Sequence, residues 1–229
     1  MAADVLPPPP GPDRYDAVLF DMDGTLIDTE PAWFAAERAT AARHGVHVPE
    51  EAYADLHGLD AAGLIRVLTE RFGLTTPPER FLDELAQRLH EALATTIPRP
   101  GAEAIVRAVA HAGIARALVS NSPRTAIEAT LAPHAWAREL LVTRVSVDDV
   151  SRGKPEPDAY LVAAERLNVP PERCLAIEDS VPGATAAVRA GTTCVFVTND
   201  GETDPAVAAE IAPYRVASLT RLTALFARD

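Results

Sequence analysis

Residues 15–25 read Tyr15-Asp16-Ala17-Val18-Leu19-Phe20-Asp21-Met22-Asp23-Gly24-Thr25. From Ala17 to Phe20 the run is apolar without alternation, the pattern of a parallel strand buried on both faces. Two carboxylates then follow two residues apart, with a glycine that permits a tight turn, so both can crowd one small volume at the strand's end. Like charges so placed imply either a bound Mg²⁺, a hard ion that seeks oxygen, or a carboxyl that stays protonated. Asp-Gly is also an ordinary turn signal, and the first aspartate could simply cap a helix.

Other runs repeat this grammar of an apolar strand ending in polar groups. Ala117-Leu118-Val119-Ser120-Asn121-Ser122-Pro123 ends in hydroxyl and amide groups before a proline suited to a helix's first turn. Ser120, Asn121 and the free amides of that helix start could grip a phosphate oxygen; Ser122 alone reads as a helix N-cap. Cys174-Leu175-Ala176-Ile177-Glu178-Asp179-Ser180 is a strand closed by two carboxylates. Between these two lies Ser151-Arg152-Gly153-Lys154-Pro155-Glu156-Pro157-Asp158, which holds the chain's single lysine against 20 arginines. A lone ammonium suits a site where a compact point charge works and a planar fork does not, and phosphate held beside carboxylates is such a site.

The order DxDGT (Asp21 to Thr25), SN (Ser120, Asn121), GKPxPD (Gly153 to Asp158) and EDS (Glu178 to Ser180) resembles the four motifs of the haloacid dehalogenase superfamily. More closely, the chain is similar to the phosphatase and β-phosphoglucomutase-like subgroup, over roughly residues 14 to 225. That resemblance implies an α/β fold: a Rossmann-like, doubly wound parallel sheet with an inserted all-α cap. It also implies that Asp21 attacks phosphorus while Asp23 serves as acid and base. Mg²⁺ is then expected on Asp21, the Asp23 backbone carbonyl and Asp179, with Glu178 close by. Ser120, Asn121, Lys154 and the backbone at Gly24 and Thr25 are the expected phosphate ligands.

The pass along the chain agrees with such an insertion. Residues 1–13, rich in proline, read as a disordered leader. Helical patterns without a strand signal fill residues 28–97, at about Asp28 to His44, Glu50 to Leu56, Asp60 to Phe72 and Pro78 to Thr95. Residues 14–27 and 98–229 form the expected core, in which helix and strand alternate as in a parallel sheet covered on both faces.

A formal net charge of −12 leaves no basic stripe to replace the counterions of a nucleic acid, so none is expected as a partner. No run approaches the roughly 18 apolar residues of a membrane span, and no signal peptide is visible. Cys174 and Cys194 lie in apolar runs and read as core residues of a cytoplasmic protein. A monomer is expected, since no exposed apolar stripe declares a partner surface.

Absences narrow the choice within the family. Haloacid dehalogenases lack a second carboxylate two residues after the nucleophile, so Asp23 speaks for phosphoryl transfer. Residues 28–97 contain no lysine for the Schiff base of a phosphonoacetaldehyde hydrolase. β-Phosphoglucomutases carry a cap arginine just after a glycine, where this chain reads Gly58-Leu59-Asp60-Ala61. Glu30-Pro31-Ala32-Trp33 resembles the sugar phosphatases instead. The expected activity is therefore Mg²⁺-dependent hydrolysis of a small phosphorylated metabolite, a sugar or polyol phosphate; a β-phosphoglucomutase-like phosphomutase is the alternative. Among the six histidines only His57, beside Gly58, is a candidate substrate contact.

Overall fold

The computed structural model describes residues 4–9, 14–52, 56, 59, 61–199 and 204–226. The chain divides into two compact units, Met1–Asp28 with Ile97–Asp229, and Thr29–Thr96. This division lies one residue inside each end of the expected 28–97 cap.

In chain order the strands are β1 (Ala17–Phe20), β2 (Ile27–Asp28), β3 (Ile97–Pro98), β4 (Ala115–Val119), β5 (Thr143–Val145), β6 (Cys174–Glu178), β7 (Thr193–Val197) and β8 (Tyr214–Val216). The larger unit includes helices α4 (Ala102–His111), α5 (Arg124–Leu131), α6 (Ala135–Leu140), α7 (Asp158–Leu167), α8 (Val181–Arg189) and α9 (Pro205–Ile211), and the smaller includes α1 (Glu30–Arg43), α2 (Ala61–Phe72) and α3 (Pro78–Leu93). Six strands form one sheet in the order β5-β4-β1-β6-β7-β8, and every neighbouring pair is parallel.

Alternation of side chains along the strands gives this sheet two unlike faces. Val18, Phe20, Leu118, Leu175 and Ile177 face Ile105, Val106 and Val109 of α4 and Ile127 of α5. Full burial of each such side chain contributes about 1.5–3 kcal/mol. The opposite face carries Ala17, Ala117, Cys174, Ala176 and Cys194, which meet Ala159, Ala163 and Ala164 of α7 and Ala184 and Ala187 of α8. Small side chains on both sides let these helices approach the sheet closely. Both cysteines are free and buried there, and burial pushes the Cys174 thiol up to about 12.

The two chain crossings to the smaller unit leave the larger one side by side. Ile27 and Asp28 pair antiparallel with Pro98 and Ile97, and the Arg99 amide donates to the Leu26 carbonyl at 2.9 Å. An ion pair of 3.4 Å between Arg99 and Asp28 lies beside them. Within the smaller unit, Phe81, Leu85, Leu89 and Leu93 recur every four residues along α3 and are buried as one stripe. On α1 the buried positions are the small residues Ala36, Thr40 and Ala41.

One expectation needs correction. Residues 1–13 read as a disordered leader, yet Val5 exchanges backbone hydrogen bonds of 2.8 and 2.9 Å with Arg215 of β8, and Asp4 accepts one from the Ala217 amide at 2.9 Å. The edge strand β8 offers unpaired backbone groups, and a proline-rich segment is already extended enough to meet them. Of the helix expected over Glu50 to Leu56, Glu50–Ala52 form a 3₁₀ turn and Leu56 is helical, while residues 53–55 lie outside the described residues. Helix α6 and the closing pair α9 and β8 have too few residues for a readable period.

Candidate active site

Strands β4, β1 and β6 are neighbours in the sheet, and their carboxyl ends deliver the polar residues. Register carries Phe20 opposite Leu118 on one side and Ile177 on the other. Asp21, Val119 and Glu178 are therefore level, and the Asp21 amide continues the ladder by donating to the Ile177 carbonyl at 3.0 Å. The chain runs outward from β1 through β4 to β5 and then returns to β6, so this is the switch point of the sheet, where ligands of doubly wound folds sit.

Lys154 reaches this point from the loop before α7. Asn121 holds the loop: its Oδ1 accepts from the Lys154 amide at 2.8 Å and its Nδ2 donates to the Lys154 carbonyl at 3.4 Å. The Lys154 ammonium donates to Asp21 Oδ1 at 2.6 Å, to Glu178 Oε1 at 2.6 Å and to the Val119 carbonyl at 3.0 Å. Those bonds account for the three donors an ammonium has. Its side chain is only 4% exposed, and its nitrogen stands 5.3 Å from the centre of the Tyr160 ring. The Tyr160 hydroxyl donates to the same Glu178 Oε1 at 2.5 Å, and Ser180 Oγ donates to Oε2 at 3.2 Å.

Asp179 is fixed from the other side by Thr25, whose hydroxyl donates to Oδ1 at 2.7 Å. Two glycines make room for the acids. A methyl group on Gly24, which also has φ +79°, would run into the Asp179 carboxylate, and one on Gly183 would overlap the Glu178 carboxylate. Glu178 cannot yield, because Lys154, Tyr160 and Ser180 hold it. Gly183→Ala is therefore expected to lower stability by about 1–3 kcal/mol, seen as a fall in melting temperature; an unchanged melting curve would refute the close approach.

The Asp23 side chain faces β4. Its Oδ2 accepts from Ser120 Oγ at 2.8 Å and Ser122 Oγ at 2.9 Å, and Ser120 Oγ in turn accepts from the Ser122 amide at 2.9 Å. The N-cap of α5 is Pro123, so Ser122 serves Asp23 and not the helix. Of the expected phosphate ligands, the Ser120 and Thr25 hydroxyls are engaged by Asp23 and Asp179. The Gly24 amide donates to the Ile27 carbonyl at 2.9 Å.

A family model described as haloacid dehalogenase-like hydrolase matches residues 15–191. The chain belongs to the haloacid dehalogenase-like hydrolases. It is 33% identical over 180 residues to the bifunctional riboflavin kinase/FMN phosphatase of Arabidopsis thaliana, a match that covers 79% of this chain and 48% of that one. It is 32% identical to hexitol phosphatase A of Escherichia coli, over 83% of this chain and 86% of that one. The crystal structure of CbbY from Rhodobacter sphaeroides in complex with phosphate superimposes with a TM-score of 0.79 at 29% identity, covering 91% of this chain and 96% of that one. This member of the haloacid dehalogenase-like hydrolases is a phosphoric monoester hydrolase.

Carboxylates outnumber cations in this hydrolase site. The carboxylates of Asp21, Glu178 and Asp179 each offer an oxygen within 4.8 Å of the others, and Lys154 supplies one positive charge against them. Burial first, then the Glu178 charge, push the Asp21 carboxyl up to about 8 against the pull of Lys154. Asp179 is raised well above the carboxylate range by burial and then by Asp21 and Glu178. Burial alone would lower the Lys154 pKa, but Asp21 and Glu178 reverse that and keep the ammonium charged. Burial and the Glu178 charge also raise Tyr160, so its hydroxyl remains a donor. Asp21 Oδ2 is buried with no hydrogen-bond partner among the described residues. An all-oxygen donor set, an orphaned carboxylate oxygen and an excess of negative charge together fit a divalent cation.

Sequence reasoning named Asp21, Asp23, Lys154, Glu178 and Asp179, and the fold brings them together. It assigned Asn121 to phosphate, whereas both ends of that amide hold the Lys154 loop. It missed Tyr160, which reads as one more apolar residue of α7, and Asn199, whose Nδ2 donates to the Gly24 carbonyl at 2.9 Å. Neither lies in a motif that could have flagged it. His57, Gly58 and Asp60 lie outside the described residues. No helix of the described residues is long and apolar enough to cross a membrane.

Proposed function

We propose that this enzyme hydrolyses the phosphate monoester of a small sugar or polyol through an aspartyl-phosphate at Asp21, with Mg²⁺ as its metal. The observation that carries the reading is the convergence of Lys154, Asp179 and the unpartnered Asp21 Oδ2 at the switch point of the sheet. The names of its relatives, hexitol phosphatase among them, support the substrate class.

Phosphate monoesters hydrolyse so slowly that accelerations of order 10²¹ are at stake. Positioning and charge neutralisation do most of that work. An Asp21 carboxylate oxygen attacks phosphorus, forming an acyl phosphate bond as the ester P–O bond breaks. Asp23 protonates the departing alkoxide, then takes a proton from the water that attacks the phosphorus of the intermediate and regenerates Asp21. Ser120 and Ser122 define where Asp23 Oδ2 rests between these transfers. Lys154 keeps Asp21 anchored, and its contact to the neutral Val119 carbonyl is the one a phosphoryl oxygen would most readily replace. Asp21 and Asp179, with Glu178 beside them, would hold the Mg²⁺, which would supply charge neutralisation on the transferred group.

Phosphate release measured over a panel of sugar and polyol phosphates is expected with Mg²⁺ and is lost on adding EDTA, returning when Mg²⁺ is restored. Turnover that persists in EDTA would overturn the metal assignment. Isomer conversion stimulated by a bisphosphate, with no net phosphate release, would overturn the hydrolytic one.

A further inference from the structure

Tyr160 stands outside every recognised motif, yet it touches both charged partners of the nucleophile. It is fully buried, on the face of α7 that the small residues Ala159, Ala163 and Ala164 bring down onto the sheet. If its role were to fill volume, phenylalanine would serve equally well and would bury no hydroxyl. The hydroxyl instead meets Glu178 Oε1 at 2.5 Å, on the same oxygen that accepts from Lys154 at 2.6 Å. The ring lies under the ammonium, 5.3 Å from centroid to nitrogen, where its negative face favours a cation. Tyr160 thus constrains Glu178 through its tip and Lys154 through its face.

We propose that Tyr160 is a positioning residue: it holds Glu178, and through Glu178 holds Lys154 on Asp21, in the arrangement that phosphoryl transfer requires. This rests on the function proposed above. Glu178 is one of the three clustered carboxylates, and its side chain is kept from turning by the hydroxyl above it and by the close backbone of Gly183. Without the phenol, Oε1 keeps Lys154 as its single donor. The carboxylate is then freer to turn toward a bound cation and to draw the ammonium from Asp21. Substrate affinity is little affected, since the residue acts through Glu178, whereas the step that needs Asp21 aligned is slowed.

The test is Tyr160→Phe in the full chain, assayed with p-nitrophenyl phosphate at saturating Mg²⁺. The expected result is a kcat about tenfold to a hundredfold lower, in the range for residues that orient metal-site ligands, with KM changed by less than about twofold. The same substitution made in Glu178→Gln is expected to cost almost nothing further, because the acceptor it acts through is already altered. Wild-type kcat in Tyr160→Phe overturns the proposal, as does an equal loss in both backgrounds. Should the wild-type protein release no phosphate from any ester, the hydrolytic reading fails by itself. Mg²⁺ titration calorimetry then tests Tyr160, with an affinity change of about tenfold expected for Tyr160→Phe and an unchanged affinity overturning its role.

Discussion

Asp21→Asn is expected to fold normally and to lose turnover by roughly 10⁴-fold or more, the scale seen when a nucleophile is removed. The amide has nearly the same shape but is too poor a nucleophile to form the proposed phosphoenzyme. Its stability effect runs the other way. In the metal-free protein Asp21 is fully desolvated beside Glu178, and its carboxyl stands near 8, against about 3.9 in an unfolded chain. Between those values the folded state binds more protons than the unfolded one, so stability is full below about pH 4, declines as pH rises, and has lost this contribution above about pH 8. Asparagine carries no charge, so in EDTA the variant should melt above wild type at pH 8 to 9 and nearly with it at pH 5. A melting series across that range, with turnover measured alongside, checks both halves. Substantial residual turnover would sink the assignment of Asp21, and a wild-type stability that rises between pH 5 and 8 in EDTA would sink the electrostatic account.

Lys154→Met should damage stability and catalysis together. Methionine matches the stem in length but leaves Asp21, Glu178 and Asp179 with no cation among them. Removing one partner of a buried ion pair costs about 3–5 kcal/mol, and in a chain of this size the melting temperature should fall on the order of 10 °C. Added Mg²⁺ should recover more stability in this variant than in wild type, since it then supplies the only positive charge. Activity is expected to vanish even where the fold is rescued, because Asp21 has lost its anchor. Lys154→Arg should fail as well: three acceptors converge on one nitrogen, a geometry that a planar guanidinium cannot satisfy. A melting temperature for Lys154→Met within about 2 °C of wild type would show that the ammonium does not balance these acids.

The legible parts of this protein are those in which chemistry or periodicity concentrates in a few neighbouring residues. The apolar run into Asp21 and Asp23, the closing of β6 by Glu178 and Asp179, and one lysine among 20 arginines were enough to read strands, sheet type and acidic centre. The four-residue stripe of α3 likewise declared itself. Less legible was whatever depends on an edge or on a short element. Val5 pairs with Arg215 only because β8 ends the sheet, and no property of the proline-rich segment itself announces that partner.

Sequence alone thus determined that an alternating α/β chain would carry two pairs of acids and a single ammonium on loops at the ends of its strands, because those features are local in composition and period. Tertiary structure decided what each polar group does: Asn121 clasps a loop, Ser122 serves Asp23, and Tyr160 holds Glu178. These assignments join residues 18 to 99 positions apart, and they follow from strand register and from the closeness with which alanine-lined helices settle on the sheet. A hydrogen bond acts over about 3 Å of space, and only the folded chain fixes which donor lies within that distance of which acceptor.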